Sequence, residues 1–226
     1  IETETLVRDN GSWKLTRPLT EQNIPGTVKG IISARLDRLE RETKHILQEA
    51  SVIGRAFLYE ILTRISELKD QIDRSLNNLE RIDLIRTRSL QPDLEYIFKH
   101  ALTQEVVYNG LLKKKRQQIH ERIGRVMEEL FHDRLHEFYE TLAYHFTEGQ
   151  SLHKAVEYLM KSGEKSTRRY SLDEAHQYYM QAFDLIRAKP DRSISEDELL
   201  IDILNNWALW YGITMMVVAS LVASVL

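Results

Sequence analysis

The residues of this chain whose types and spacing suggest chemistry are few. His100 and Glu105 stand close together in Phe98-Lys99-His100-Ala101-Leu102-Thr103-Gln104-Glu105, which first suggests acid–base work. The segment follows a strand-like end (Tyr96, Phe98) and opens a helical pattern, so it reads better as a joint, with His100 capping a helix or packing against a neighbour. His132 and His136 are one helical turn apart and could share a metal, but no carboxylate stands in an H-E-x-x-H frame, and a surface pair is expected. Glu128 and Glu129 read as ordinary helix-face charges. Ser12, Ser51 and Ser89 sit in no nucleophile-elbow context. The basic run Lys113-Lys114-Lys115-Arg116, with Arg122 and Arg125 beyond it, could meet phosphates, although a solvated helix start is the simpler expectation. No G-x-x-x-x-G-K-[ST] occurs, because Gly26 and Gly30 lead only to Ile31-Ile32, and no acidic strand end resembles a Walker B motif. No catalytic residues and no metal ligands are assigned.

The composition is that of an ordinary globular chain of one or two domains: 226 residues, 42% hydrophobic and 29% charged. A net charge of −3 exerts no pull toward nucleic acid or anionic lipid. The absence of cysteine excludes disulfides and thiolate metal sites and suits a cytoplasmic setting. The first residues, IETETLVRD, lack the basic and apolar blocks of a signal peptide. Four prolines and nine glycines leave room for long helices nearly throughout.

Three parts follow from the periodicity. In 1–42, Asn10-Gly11 between apolar flanks predicts a short hairpin. After Pro25-Gly26, Val28, Ile31, Ile32, Leu36 and Leu39 recur at helical spacing, with Arg35, Arg38 and Arg41 on other faces. In 43–114, three apolar stripes predict three helices: Ile46, Leu47, Ala50 and Ile53, ended by Gly54; Phe57, Leu58, Ile61, Leu62 and Ile65; and Ile72, Leu76 and Leu79. Leu84-Ile85 and Leu94–Phe98 then read as strands around Gln91-Pro92-Asp93. Three helices and a β-hairpin give the order of a winged helix. Arg74, Asn77, Asn78 and Arg81 of its third helix could read DNA, but Asp70, Asp73 and Glu80 share the segment and repel phosphates. In 115–211 small residues alternate with aromatics: Ala143, Tyr144 and Phe146; Ala155, Tyr158 and Gly163; Ala175, Tyr179, Ala182 and Phe183. Helices spaced by roughly 20 residues predict an α-solenoid of tetratricopeptide-like hairpins. The expected fold class is therefore mainly α, a winged-helix domain with a small β-hairpin followed by that solenoid.

The tail breaks the pattern. Ile203 to Leu226 carries no charge, and 212–226 could be a buried solenoid helix, a membrane anchor, or a truncated or frame-altered continuation.

Several blocks resemble one family in order. Ile24-Pro25-Gly26-Thr27-Val28 with Ala34–Leu39, then Ala50–Phe57, then Phe98–Glu105 with Tyr108, Arg116, His120 and Ile123, and the helix pair around Lys154-Ala155 and Tyr170–Ala175 are similar to STAND-type signalling ATPases. The resemblance covers about 5–205 and falls after the nucleotide-binding core. It implies large multidomain bacterial proteins in which an ATPase core is followed by a winged helix and a repeat superhelix, some fused to class III adenylate cyclase, kinase or DNA-binding outputs. It implies ATP and Mg²⁺ for the absent upstream core and no cofactor in this chain, with His100 as a candidate nucleotide contact from that core. Partners implied are the upstream ATPase domain and a peptide, protein or small-molecule ligand on the repeats. Two alternatives stand beside this regulatory reading. One is a DNA-binding regulator using Arg74, Asn77, Asn78, Arg81, Lys113, Lys114, Lys115 and Arg116. The other is a scaffold held to a membrane by the tail.

Overall fold

The computed structural model describes residues 6–9, 12–15 and 26–210. Asn10-Gly11, where a turn is expected, Ile24-Pro25 and the apolar 212–226 segment lie outside them. The protein is mainly helical with a small three-stranded sheet. β1 (Leu6–Asp9) and β2 (Ser12–Leu15) pair antiparallel with Asp9 opposite Ser12, as the hairpin pattern predicts.

α1 (Gly26–Leu36) buries Leu36 and packs Ile32 against the same core, while Val28 and Ile31 of the predicted stripe are exposed. α2 (Arg41–Ile53) buries Ile46, Leu47 and Ala50 along one face. It stops at Gly54, whose φ of 152° suits a residue without a side chain and whose N–H reaches the Ala50 carbonyl.

The second predicted helix is divided. Ala56–Leu58 form strand β3, and only Tyr59–Ile65 form α3. The cause is long-range: β3 pairs antiparallel with β5 (Glu95–Phe98), setting Phe57 opposite Tyr96. The Phe57 ring lies 5.8 Å from both Tyr96 and Phe98. That aromatic pairing overrides a local pattern compatible with helix. After a 3-10 turn at Lys69–Gln71 comes α4 (Ile72–Arg81), then β4 (Ile85–Ser89), and the strand order is β3-β5-β4. β4 runs further than its apolar start predicts, because Arg86, Thr87 and Arg88 lie on an exposed edge.

α5 (Ala101–Asn109), α6 (Lys113–Leu130), a 3-10 stretch (His132–Glu137), α7 (Tyr139–Glu148), α8 (Leu152–Arg168), α9 (Leu172–Arg187) and α10 (Ile194–Trp210) complete the chain. From α6 onward each helix packs on the next, most closely α7 on α8 and α8 on α9. Small residues permit that closeness. A Cβ on Gly124 would lie 2.7 Å from the Phe146 ring, and one on Gly163 would lie 2.9 Å from the Tyr179 ring.

Two hydrophobic cores result. One lies under the sheet, with Ile46, Leu47, Phe57, Leu62, Leu76 and Phe98. The other runs through α6–α10, with Ile123, Phe146, Tyr158, Tyr179 and Trp207. α2 and α3 serve both: Val52, Ile61 and Ile65 join the helical core, while Ile46, Leu47 and Leu62 join the other.

Candidate functional site: the joint around α5 and α6

His100 holds the N-cap position of α5 through its backbone, in extended conformation (φ −122°, ψ 130°), and its side chain makes no capping bond. The carbonyl of His100 accepts from Thr103 N–H at 3.0 Å, while the ring stays exposed. Asp83, on which His100 acts electrostatically, has its carboxyl held below its usual range chiefly by the hydrogen bond from Lys99.

The rest of the segment is bound on several sides. Glu105 takes an ion pair from Lys29 of α1 at 2.7 Å. The Gln104 side chain donates to the Ser51 carbonyl of α2 at 2.7 Å. Arg35, at the end of α1, donates to the Ile82 carbonyl beyond α4. His100 and Glu105, neighbours in sequence, thus serve different surroundings and form no acid–base pair.

The joint continues into the helical array through buried imidazoles. The Tyr108 hydroxyl lies 3.0 Å from His120 Nε2, and His120 Nδ1 lies 2.9 Å from His145 Nδ1. Tyr108 comes from α5, His120 from α6 and His145 from α7. The Arg116 guanidinium sits 4.8 Å above the Tyr108 ring and donates to the Tyr108 carbonyl at 3.3 Å. Tyr144 stands edge-on to His120 at 5.4 Å. Both histidines are buried, and loss of water drives their pKa values down, to about 4 for His120 and about 3 for His145. Arg116 pushes His120 the same way, and His120 does so to His145.

A second buried group, Glu49 of α2, faces the same joint. Its Oε1 is 3.5 Å from His45 Nε2, and its Oε2 has no hydrogen-bond partner among the described residues. Burial raises its carboxyl pKa, against the opposing pull of a Ser66 hydrogen bond and of His45, Arg122 and Lys115. Beside it opens a cleft of about 540 Å³ lined by Arg41, Glu42, Lys44, His45, Gln48 and Glu67.

The candidate nucleic-acid residues are not gathered into one basic face. Arg74 is 3.6 Å from Glu40, and Arg81 donates to Asn78 at 3.0 Å. Asp73 accepts from the Tyr59 hydroxyl, and Glu80 accepts from the Thr87 N–H and hydroxyl. Asn77 is exposed. In the first turn of α6, Lys113 and Lys114 are exposed, whereas Lys115 and Arg116 turn half inward. α4 packs on α2 and β4, and α6 on α2, α3 and α7, so different elements carry the two groups.

His132 and His136 are both exposed on the 3-10 stretch, and His132 pairs with Asp133 at 3.0 Å. Among the described residues no group of three or more His, Asp or Glu side chains is placed to hold a metal, and no helix is long and apolar enough to cross a membrane.

No family model matches this chain, and no solved structure does. A stretch of 92 residues is 32% identical to an uncharacterized protein of Rhizobium meliloti, covering 40% of this chain and 9% of that protein. The chain thus matches less than a tenth of that relative's length.

Proposed function

We propose that this chain is a non-catalytic relay and interaction segment of a STAND-type signalling ATPase. In this reading 43–114 form a winged helix, 115–211 form a solenoid of tetratricopeptide-like hairpins that binds a peptide, protein or small ligand, and the 1–42 segment ends an upstream ATPase module. The observation that carries it is the position of α5. One short helix is tied to α1 by Lys29–Glu105, to α2 by Gln104–Ser51 and to α6 by Tyr108–His120. A displacement of α1 therefore reaches α6 through direct contacts. The shared use of α2 and α3 by both cores supports the same reading. So does a relative many times longer than the matched stretch, as a multidomain protein would be.

His100, exposed at the start of α5, is available to a neighbouring module, and we assign it the contact with that module's nucleotide. Direct DNA binding is disfavoured by Asp73 and Glu80 of α4 and by Glu40, which stands before α2 beside Arg74.

The test has two arms. The coding sequence upstream of Ile1 is expected to hold a phosphate-binding loop and an acidic strand end, and their absence overturns the reading. In the parent protein, Glu105→Lys is expected to change ATP turnover several-fold although it lies outside the ATPase. Unchanged turnover would remove the relay role.

A further inference from the structure

The Tyr108–His120–His145 chain crosses three helices, with His120 and His145 0% and 1% exposed. With Nδ1 facing Nδ1 at 2.9 Å, one imidazole must donate and the other accept. Two neutral rings satisfy the chain in either of two directions. Tyr108 donates to His120 and His120 to His145, or His145 donates to His120 and His120 to Tyr108. One extra proton still fits, with His120 donating from both nitrogens. A second does not, because it sets two N–H groups against each other at a buried contact. The surrounding charges give no relief close to the rings. α6 contributes the Arg116 cation, α5 contributes Tyr108, and α7 contributes Tyr144 and Glu148, whose carboxylate acts on the two tyrosines.

We propose that this chain is a proton-operated latch, which holds α7 and the helices after it against α5 and α6 while both imidazoles are neutral and lets go when they take up protons. The latch belongs to the joint itself and does not depend on an upstream ATPase.

The sign follows from linkage. An exposed histidine titrates near 6.5, whereas burial depresses both of these. The opened form binds more protons below that range, so opening is favoured as pH falls from about 6.5, and there is no effect above about 7.5. Each histidine contributes up to about tenfold per pH unit, and the pair up to about a hundredfold. The slope flattens as pH falls through about 4, where the closed form itself begins to protonate.

Native-state hydrogen exchange of the whole chain, corrected for intrinsic rates, tests this. Between pH 6.5 and 5.5 the amides of α6 and α7 are expected to open between tenfold and a hundredfold more often, while those of α4 change little. The double variant His120→Gln with His145→Asn is expected to lose that dependence. Equal pH slopes in variant and wild type overturn the latch. Should the variant fail to fold, the wild type decides the matter by NMR. Ring nitrogens of His120 and His145 that stay neutral down to pH 5 support the latch, and titration of either near 6.5 in the folded protein overturns it.

Discussion

The ring of Tyr179 occupies the space that a side chain on Gly163 would need: a Cβ there would stand 2.9 Å from ring carbons. Both residues are buried, and α8 and α9 meet through this contact. Gly163→Ala is expected to destabilise by about 1–3 kcal/mol through overpacking, partly offset by about 1 kcal/mol of improved helix propensity. Gly30, also helical, has nothing among the described residues within 4 Å of such a Cβ, so Gly30→Ala is expected to stabilise by up to about 1 kcal/mol. Urea midpoints of the two variants provide the comparison. A Gly163→Ala chain as stable as Gly30→Ala would refute the packing account.

The Lys29–Glu105 pair fastens α1 to α5 with both side chains partly exposed, so its stability effect is expected to be about 1 kcal/mol or less and to fade in high salt. Glu105→Lys places two cations together and should raise hydrogen exchange in α1. Adding Lys29→Glu should restore protection. Failure of the double reversal to rescue would show that α1 is held by other contacts.

Binding to random duplex DNA is expected to be no tighter than about 10⁻⁴ M at physiological salt, the weak end of non-specific association. A fluorescence anisotropy titration across salt concentrations reads this. Micromolar, steeply salt-dependent binding lost in a Lys113→Ala, Lys114→Ala variant would establish the nucleic-acid alternative instead.

Glu49 bears a raised carboxyl pKa and an unpartnered Oε2. A carboxyl whose folded pKa lies above its unfolded value carries no penalty at low pH and an increasing one as pH rises through the folded pKa. Glu49→Gln is therefore expected to raise the Tm at pH 7.5 and to raise it less at pH 4.5, by differential scanning calorimetry. A lower Tm at pH 7.5 would mean that the carboxylate is charged and well paired.

Much of this architecture was legible where burial follows a helical period. Ile46, Leu47 and Ala50 before Gly54, and Ala175, Tyr179, Ala182 and Phe183 later, announce their buried faces locally. β3 was not legible, since Ala56–Leu58 are a strand only because β5 pairs with them from some 40 residues away. Nor was the reach of β4, whose Arg86 and Arg88 face solvent on an edge and leave no apolar alternation to read. The histidine chain is not legible in the sequence, because its members lie 12 and 25 residues apart and meet through helix crossing. A faint signal existed: His120 sits beside Ile119 and Ile123, and His145 between Leu142 and Phe146, on faces otherwise filled by core residues.

Because Val52, Ile61 and Ile65 insert into the helical array from α2 and α3, these two helices act as a party wall between the halves. A gene fragment ending after α5 would leave that wall bare on one side, and a fragment beginning at α6 would lack the cover for Ile119 and Ile123. Neither half is therefore an independent building block. Recombination that exchanges α6–α10 among such chains must carry α2 and α3 along or refit their outward face.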